Sequence, residues 1–270
     1  SEIEARATSE EVCYPGPNFD YTVCLPLVEW DPTWGRDWTY PEPYLDSDQY
    51  SAPIRFIDLQ HTDSAISLAP NFVLSELMSL YKGRFGLFQV HMLENLQTLR
   101  DESGGPIYIN SAYRSPEYNA QVGGVEHSRH MFGDAVDITS GILELDELGA
   151  LCDTLGADYV GYYETHIHCD WRNNMLDPAF FDSSDRRSAR VPIHSVRMTR
   201  NGDFWEAPAT GFDEGEPLRR WEARDAEGRL IAHHQGRIFR PPRETSTVTV
   251  TVGGQPAIYQ ETMPYQRERQ

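Results

Sequence analysis

The sequence predicts an α+β domain with a small antiparallel sheet and flanking helices, followed by a C-terminal all-β, sandwich-like domain. Three observations lead there. In FGLFQVHMLENLQTLRDESGG, Val90, Leu93, Leu96 and Leu99 recur at three-residue steps and two glycines end the run, the pattern of an amphipathic helix. Short alternating stretches such as PIYINSAY and GDAVDI lie among the helical ones without a repeated strand–helix–strand unit, which favours α+β over α/β. From about residue 190 alternation takes over, punctuated by NG, EG and GG turns, as in a small β-sandwich spanning 190–270.

Element by element, residues 1–60 are rich in Pro, Trp, Tyr and acidic side chains with little periodicity, and predict an irregular N-terminal wrap over a domain at 61–181. Trp30, Trp34 and Trp38 stand four apart, but Pro32 and Gly35 lie among them. Packing is therefore expected rather than a helical stripe, with sugar stacking the lesser alternative. The helical pattern runs from about 72 to 103, then a strand over 106–113 and a short helix in SPEYNAQVGG. GDAVDI is a strand, ILELDELGALCDTLG a helix ending at Gly156, and YVGYY with HIHCDW a hairpin or two adjacent strands. DSSDRRSAR, 182–190, is the expected linker.

Composition bounds the partners. With 39% hydrophobic residues the chain can bury a core, and no apolar run approaches the roughly 18 residues of a membrane span. Net charge is −19, from 42 acidic and 23 basic residues, so phosphate backbones and anionic surfaces would repel it and nucleic acid is not an expected partner. Cysteines at 13, 24, 152 and 169 suit two disulfides and an oxidising compartment; of three possible pairings, Cys13–Cys24 and Cys152–Cys169 are favoured as nearest in sequence. The expected location is periplasmic or secreted, with a signal peptide already removed.

Chemistry concentrates in INSAYRSPEYNAQVGGVEHSRHMFGDAVDI, 109–138, and ETHIHCDW, 164–171. These place His130, Asp137 and a His-x-His pair at 166 and 168. Two imidazoles and a carboxylate are a sound catalytic zinc set, because three protein ligands leave the fourth tetrahedral position to water. If HIHCDW is a strand, Glu164, His166, His168 and Asp170 share one face and Cys169 points to the other, free for a disulfide. The neighbouring His233 and His234 would point to opposite faces of a strand, as surface histidines rather than a second metal site.

Ser128-x-His130-x-x-Gly133-x-Ala135-x-Asp137 followed by His166-x-His168 resembles the signature of the zinc D-Ala-D-Ala carboxypeptidases, which group with lysostaphin-type peptidases and the hedgehog signalling domain. SAYRSPEYN is similar to that family's Arg-bearing segment, and the resemblance covers about residues 70–172. It implies zinc held by His130, Asp137 and His168, with His166 beside the metal as base or transition-state donor. Arg114 would hold a substrate carboxylate or the oxyanion. Related subgroups carry a carboxylate base three residues before the last ligand, where this chain has Thr165; Glu164, one residue earlier, is the alternative to His166. Asp170 is expected to orient a ligand histidine and Ser128 to brace the His130 loop by a local hydrogen bond.

The implied function is hydrolysis of peptidoglycan stem peptides or cross-links, as D,D-carboxypeptidase or endopeptidase. The alternative is a non-catalytic, zinc-containing binding module of the bacterial envelope, like the hedgehog domain. The C-terminal domain is an expected docking surface for a protein or wall polymer.

Overall fold

The computed structural model describes residues 10–34, 38–43, 48–181, 195–210, 219–252 and 259–265. Strands β1 (Glu11–Tyr14) and β2 (Val23–Glu29) form an antiparallel hairpin in which Cys13 lies opposite Cys24, and the two are disulfide-bonded. β3 (Arg55–Asp58) pairs with β2; a small hairpin of β4 (Ser67–Ala69) and β5 (Phe72–Val73) leads into the one-turn helix α1 (Leu74–Leu77), and β6 (Phe85–Gly86) completes a sheet of order β1-β2-β3-β6. The N-terminal segment is thus strand-bearing rather than irregular. Its alternation spans only a few residues at a time, yet it buries Val12, Tyr14, Leu25 and Leu27. Trp34 stacks on Phe85 at 3.7 Å and Trp38 packs edge-on against Phe56, so these two rings serve packing, as expected.

The predicted helical stretch from 72 narrows to α1 and to α2 (Val90–Glu102), since Phe85 and Gly86 pair into the sheet between them. Met92, Leu93, Leu96 and Leu99 of α2 face the core. β7 (Ile107–Ser111) follows, then α3 (Pro116–Gln121), with Ser115 Oγ accepting from the Tyr118 N–H at its start and a proline in its first turn. β8 (Ala135–Ser140), α4 (Leu145–Thr154), β9 (Tyr159–Tyr162) and β10 (Ile167–Asp170) complete an antiparallel sheet of order β7-β8-β10-β9. β9 and β10 form the expected hairpin.

Helix α4 lies close on this sheet: a Cβ on Gly149 would come within 2.4 Å of the Tyr162 ring, so only glycine allows the approach. Cys152 of α4 is disulfide-bonded to Cys169 of β10, the second favoured pairing. On β8 and β10, Val136, Ile138, Ile167 and Cys169 join the core, which leaves Asp137, His168 and Asp170 on the opposite face.

After residue 194 the described strands are β11 (Ser195–Val196), β12 (Thr199–Asn201), β13 (Phe204–Glu206), β14 (Ala209–Thr210), β15 (Arg219–Arg224), β16 (Leu230–Gln235), β17 (Ile238–Phe239), β18 (Thr247–Val252) and β19 (Tyr259–Pro264). They build antiparallel sheets of order β11-β14, β12-β13-β17 and β16-β15-β18-β19. Trp205, Trp221, Phe239, Val248 and Val250 form a second core. His233 and His234 on β16 are both exposed. The expected linker at 182–190 and the GG turn at 253–254 lie outside the described residues. Among the described residues no helix is long and apolar enough to cross a membrane.

The Cys152–Cys169 bridge closes a separation of 17 residues. Replacing both cysteines by serine is expected to lower unfolding stability by about 3 kcal/mol. Urea titration under non-reducing conditions would measure it, and an unchanged midpoint would count against the bridge as a stabilising link.

Candidate metal centre

Asp137 and His168 face each other directly across the β8–β10 pair. His130 comes from a single 3-10 turn, Arg129–Phe132, that precedes β8. Gly133 ends this turn at φ +73, and a Cβ there would sit 2.7 Å from the Leu87 carbonyl oxygen. The Gly133 carbonyl accepts from the Gln89 N–H at 2.9 Å, fixing the turn to the start of α2.

The three side chains converge. His130 Nε2 is 3.1 Å and His168 Nδ1 2.9 Å from Asp137 Oδ1, and the two nitrogens are 3.2 Å apart. All three residues are buried, and together they form a group able to hold a metal ion. The other such group among the described residues, Glu11 with Cys13 and Cys24, has its sulfurs committed to a disulfide.

Outer partners select the tautomers. His130 Nδ1 lies 2.6 Å from the Ala112 carbonyl, which can only accept, so Nδ1 carries the proton and Nε2 turns its lone pair inward. His168 Nε2 lies 3.1 Å from Asp170 Oδ2, which leaves Nδ1 as the inward donor. Asp170 is ionised: burial pushes its carboxyl up, but the Arg172 guanidinium and the hydrogen bonds of Arg172 and His168 outweigh this and hold it far down. Arg172 donates to both Asp170 oxygens, through Nε at 2.7 Å and through its terminal nitrogen. Sequence reasoning expects Asp170 to orient a ligand histidine, and the structure places its carboxylate on His168 Nε2.

Asp137 is likewise desolvated, yet in the metal-free centre the charge and hydrogen bonds of His130 and His168, when those rings are protonated, keep its carboxyl well below the usual range. Its second oxygen accepts from Arg114 at 2.6 Å, and Arg114 Nε donates to Ser111 Oγ at 2.8 Å. Sequence reasoning places Arg114 on the substrate; the fold places its guanidinium on the carboxylate of the metal group. Two imidazole nitrogens and one carboxylate oxygen around a single point, each imidazole oriented from behind, are a zinc ligand set.

His166 borders the group. Its Nε2 is 3.9 Å from Asp137 Oδ1, its side chain is 17% exposed, and its ring stacks on Tyr163 at 4.7 Å. Glu164 sits exposed in the bend between β9 and β10, before the strand begins at Ile167, so the alternation assumed for it does not reach that far. Ser128 is fully buried with its hydroxyl unpaired, and the local side-chain bond expected of it is not made; its backbone carbonyl accepts from Met131 instead.

The sequence did not point to Arg172, Tyr163 or the fully buried Arg129–Asp134 ion pair that brackets His130. The only available signal was their position within five residues of a ligand.

A buried two-histidine, one-carboxylate centre on a small antiparallel sheet defines a metal-binding α+β domain. Residues 70–170 match the family model described as Peptidase M15. A zinc D-Ala-D-Ala carboxypeptidase of Streptomyces albus G is 34% identical over 118 residues, which cover 43% of this chain and 37% of that relative. The chain therefore spans little more than a third of the length of the curated relative it matches.

A carboxyl with a depressed folded-state pKa contributes stability above its unfolded value, near 4, and that stability is lost as pH falls through the folded value. Asp170→Asn is expected to weaken zinc binding by about 10–100-fold in a chelator competition. In urea titrations of the metal-free protein, the stability gap between parent and Asp170→Asn should be full at pH 6 and should close as the pH falls below about 4. A gap that widens on acidification would contradict the assignment.

Proposed function

We propose that the protein is a zinc peptidase that hydrolyses stem peptides or cross-links of peptidoglycan, as a D,D-carboxypeptidase or endopeptidase. The observation that carries the reading is the convergence of His130, Asp137 and His168 on one buried point, with the half-open His166 beside it. Zinc bound there would lower the pKa of a coordinated water to about 7 and polarise the substrate carbonyl.

The chain's own residues supply the rest. Ala112 and Asp170 hold the two ligand imidazoles in the donor tautomer. Arg114 holds Asp137 and places a positive charge beside the centre, where a tetrahedral oxyanion develops. His166 is accessible and fixed by the Tyr163 ring, so it is the group assigned to hand a proton to the leaving nitrogen; Glu164, out on the bend, is the lesser candidate. The Peptidase M15 match speaks for hydrolysis over a purely binding, hedgehog-like role.

In this reading the chain is organised as an N-terminal wrap to residue 60, a peptidase domain at 61–181 and a β-sandwich accessory domain at 190–270 that docks a protein or wall polymer. Two disulfides suit a periplasmic or secreted location.

Purified protein is expected to contain about one zinc per chain. Chelation or His168→Ala should reduce cleavage of wall peptides by about 10³-fold or more. Mass spectrometry of digested muropeptides separates the two modes, as loss of one D-Ala or as conversion of cross-linked dimers to monomers. Undiminished cleavage by metal-free protein would overturn the reading.

A further inference from the structure

We propose that Tyr159 is a positioning residue for the metal centre, and that through it the C-terminal β region sets the grip on the bound metal. Tyr159 lies on β9, directly opposite Asp170. Its ring centroid is 5.5 Å from that of His168, and the guanidinium carbon of Arg172 stands 4.8 Å from the same ring. Arg172 holds Asp170, and Asp170 holds His168 Nε2. One aromatic ring therefore touches both a metal ligand and the cation that fixes this ligand's carboxylate partner.

The same side chain, 1% exposed, belongs to the core built by Trp205, Trp221, Phe239 and Val250. Among the described residues it alone joins that core from before residue 195. A flat ring offers the guanidinium a π face and the imidazole a rigid neighbour, neither of which a flexible aliphatic chain provides. If the C-terminal core loosens, the ring moves, and Arg172, Asp170 and His168 lose a common wall.

A second contact runs parallel. Arg220 of β15 pairs with Asp146 of α4 and lies 4.4 Å from the Tyr162 ring centroid, so the C-terminal region also braces the helix that is disulfide-bonded to β10. The inference rests on the three-ligand site and not on the peptide-cleaving reaction, so a binding measurement distinguishes its failure from failure of the peptidase reading.

The test uses the full chain, stripped of metal, with zinc affinity measured against a chromophoric chelator and the cobalt(II) visible spectrum as a report on ligand geometry. Tyr159→Phe keeps the ring and should bind zinc within about threefold of the parent. Tyr159→Met keeps the apolar volume but removes the ring, and should bind about 10-fold more weakly or worse with an altered cobalt spectrum, the size of effect typical of outer partners of a metal ligand. Tyr159→Leu stands in should the Met variant fail to fold. Parental zinc affinity and cobalt spectrum in a variant lacking the ring would overturn the proposal, as would an equal loss in Tyr159→Phe. Absence of zinc binding by the parent would remove the site and the proposal together. Weakened zinc binding in the Met variant alongside a parent that cleaves no wall peptide would reject only the peptidase reading.

Discussion

The register between β8 and β10 is the constraint on which the centre depends. Asp137 and His168 are direct cross-strand partners, so their reacting atoms meet without any loop having to find its place. A slip of one residue in either strand would turn its ligand into the core and bring Val136 or Cys169 to the metal face, since side chains alternate with a period of two. Several contacts hold the register. The Cys152–Cys169 bridge pins β10 from behind, the β9–β10 hairpin pins it from the side, and the Trp171 N–H donates to the Asp134 carbonyl at 3.0 Å just beyond its end.

Placing carboxylates in a dry interior is costly, and each buried acid near the centre is met by an arginine: Asp137 by Arg114, Asp170 by Arg172, Asp134 by Arg129. The last pair brackets the turn that carries His130. Arg129 also donates to the Gln49 carbonyl at 2.6 Å, and the Tyr40 hydroxyl donates to the Met131 carbonyl at 2.8 Å. Residues from the N-terminal segment thus clasp the His130 turn on both sides of the ligand. That segment forms part of the support of the site, a role its composition alone does not suggest.

The sequence carried much of this in readable form. The metal group was legible because strand alternation is strict: once GDAVDI and HIHCDW are strands, Asp137 and His168 must lie off the core face and Cys169 on it, while both disulfide pairings were favoured by nearness in sequence. Helix α2 was legible from its apolar spacing, although its start was not, because Phe85 and Gly86 join a sheet whose other strands come from residues 11–58 and such long-range pairing leaves no local trace. The N-terminal strands were missed for the same reason. Glu164 was overread, because alternation was extended into a bend that only the hairpin geometry reveals. Arg172 and Tyr159 were invisible as site residues, since their roles arise from cross-strand neighbours rather than from spacing.

In the proposed peptidase, the face of β9 next to the ligands favours His166 over the bend beyond it as the side chain that meets a substrate. Tyr159, Gly161 and Tyr163 alternate along that face beside Asp170, His168 and His166. A Cβ on Gly161 would lie 2.9 Å from the Tyr163 ring, 3.0 Å from the Tyr159 hydroxyl and 3.3 Å from His168 Cβ, so the two tyrosines close over the glycine and lean on the histidines. His168 is fully buried under this packing. His166, one pair further along, stacks on the Tyr163 ring and keeps 17% of its side chain exposed. For that proposed role the stacked, partly buried ring is the more fixed of the two groups, since Glu164, two residues further out, is exposed on the bend.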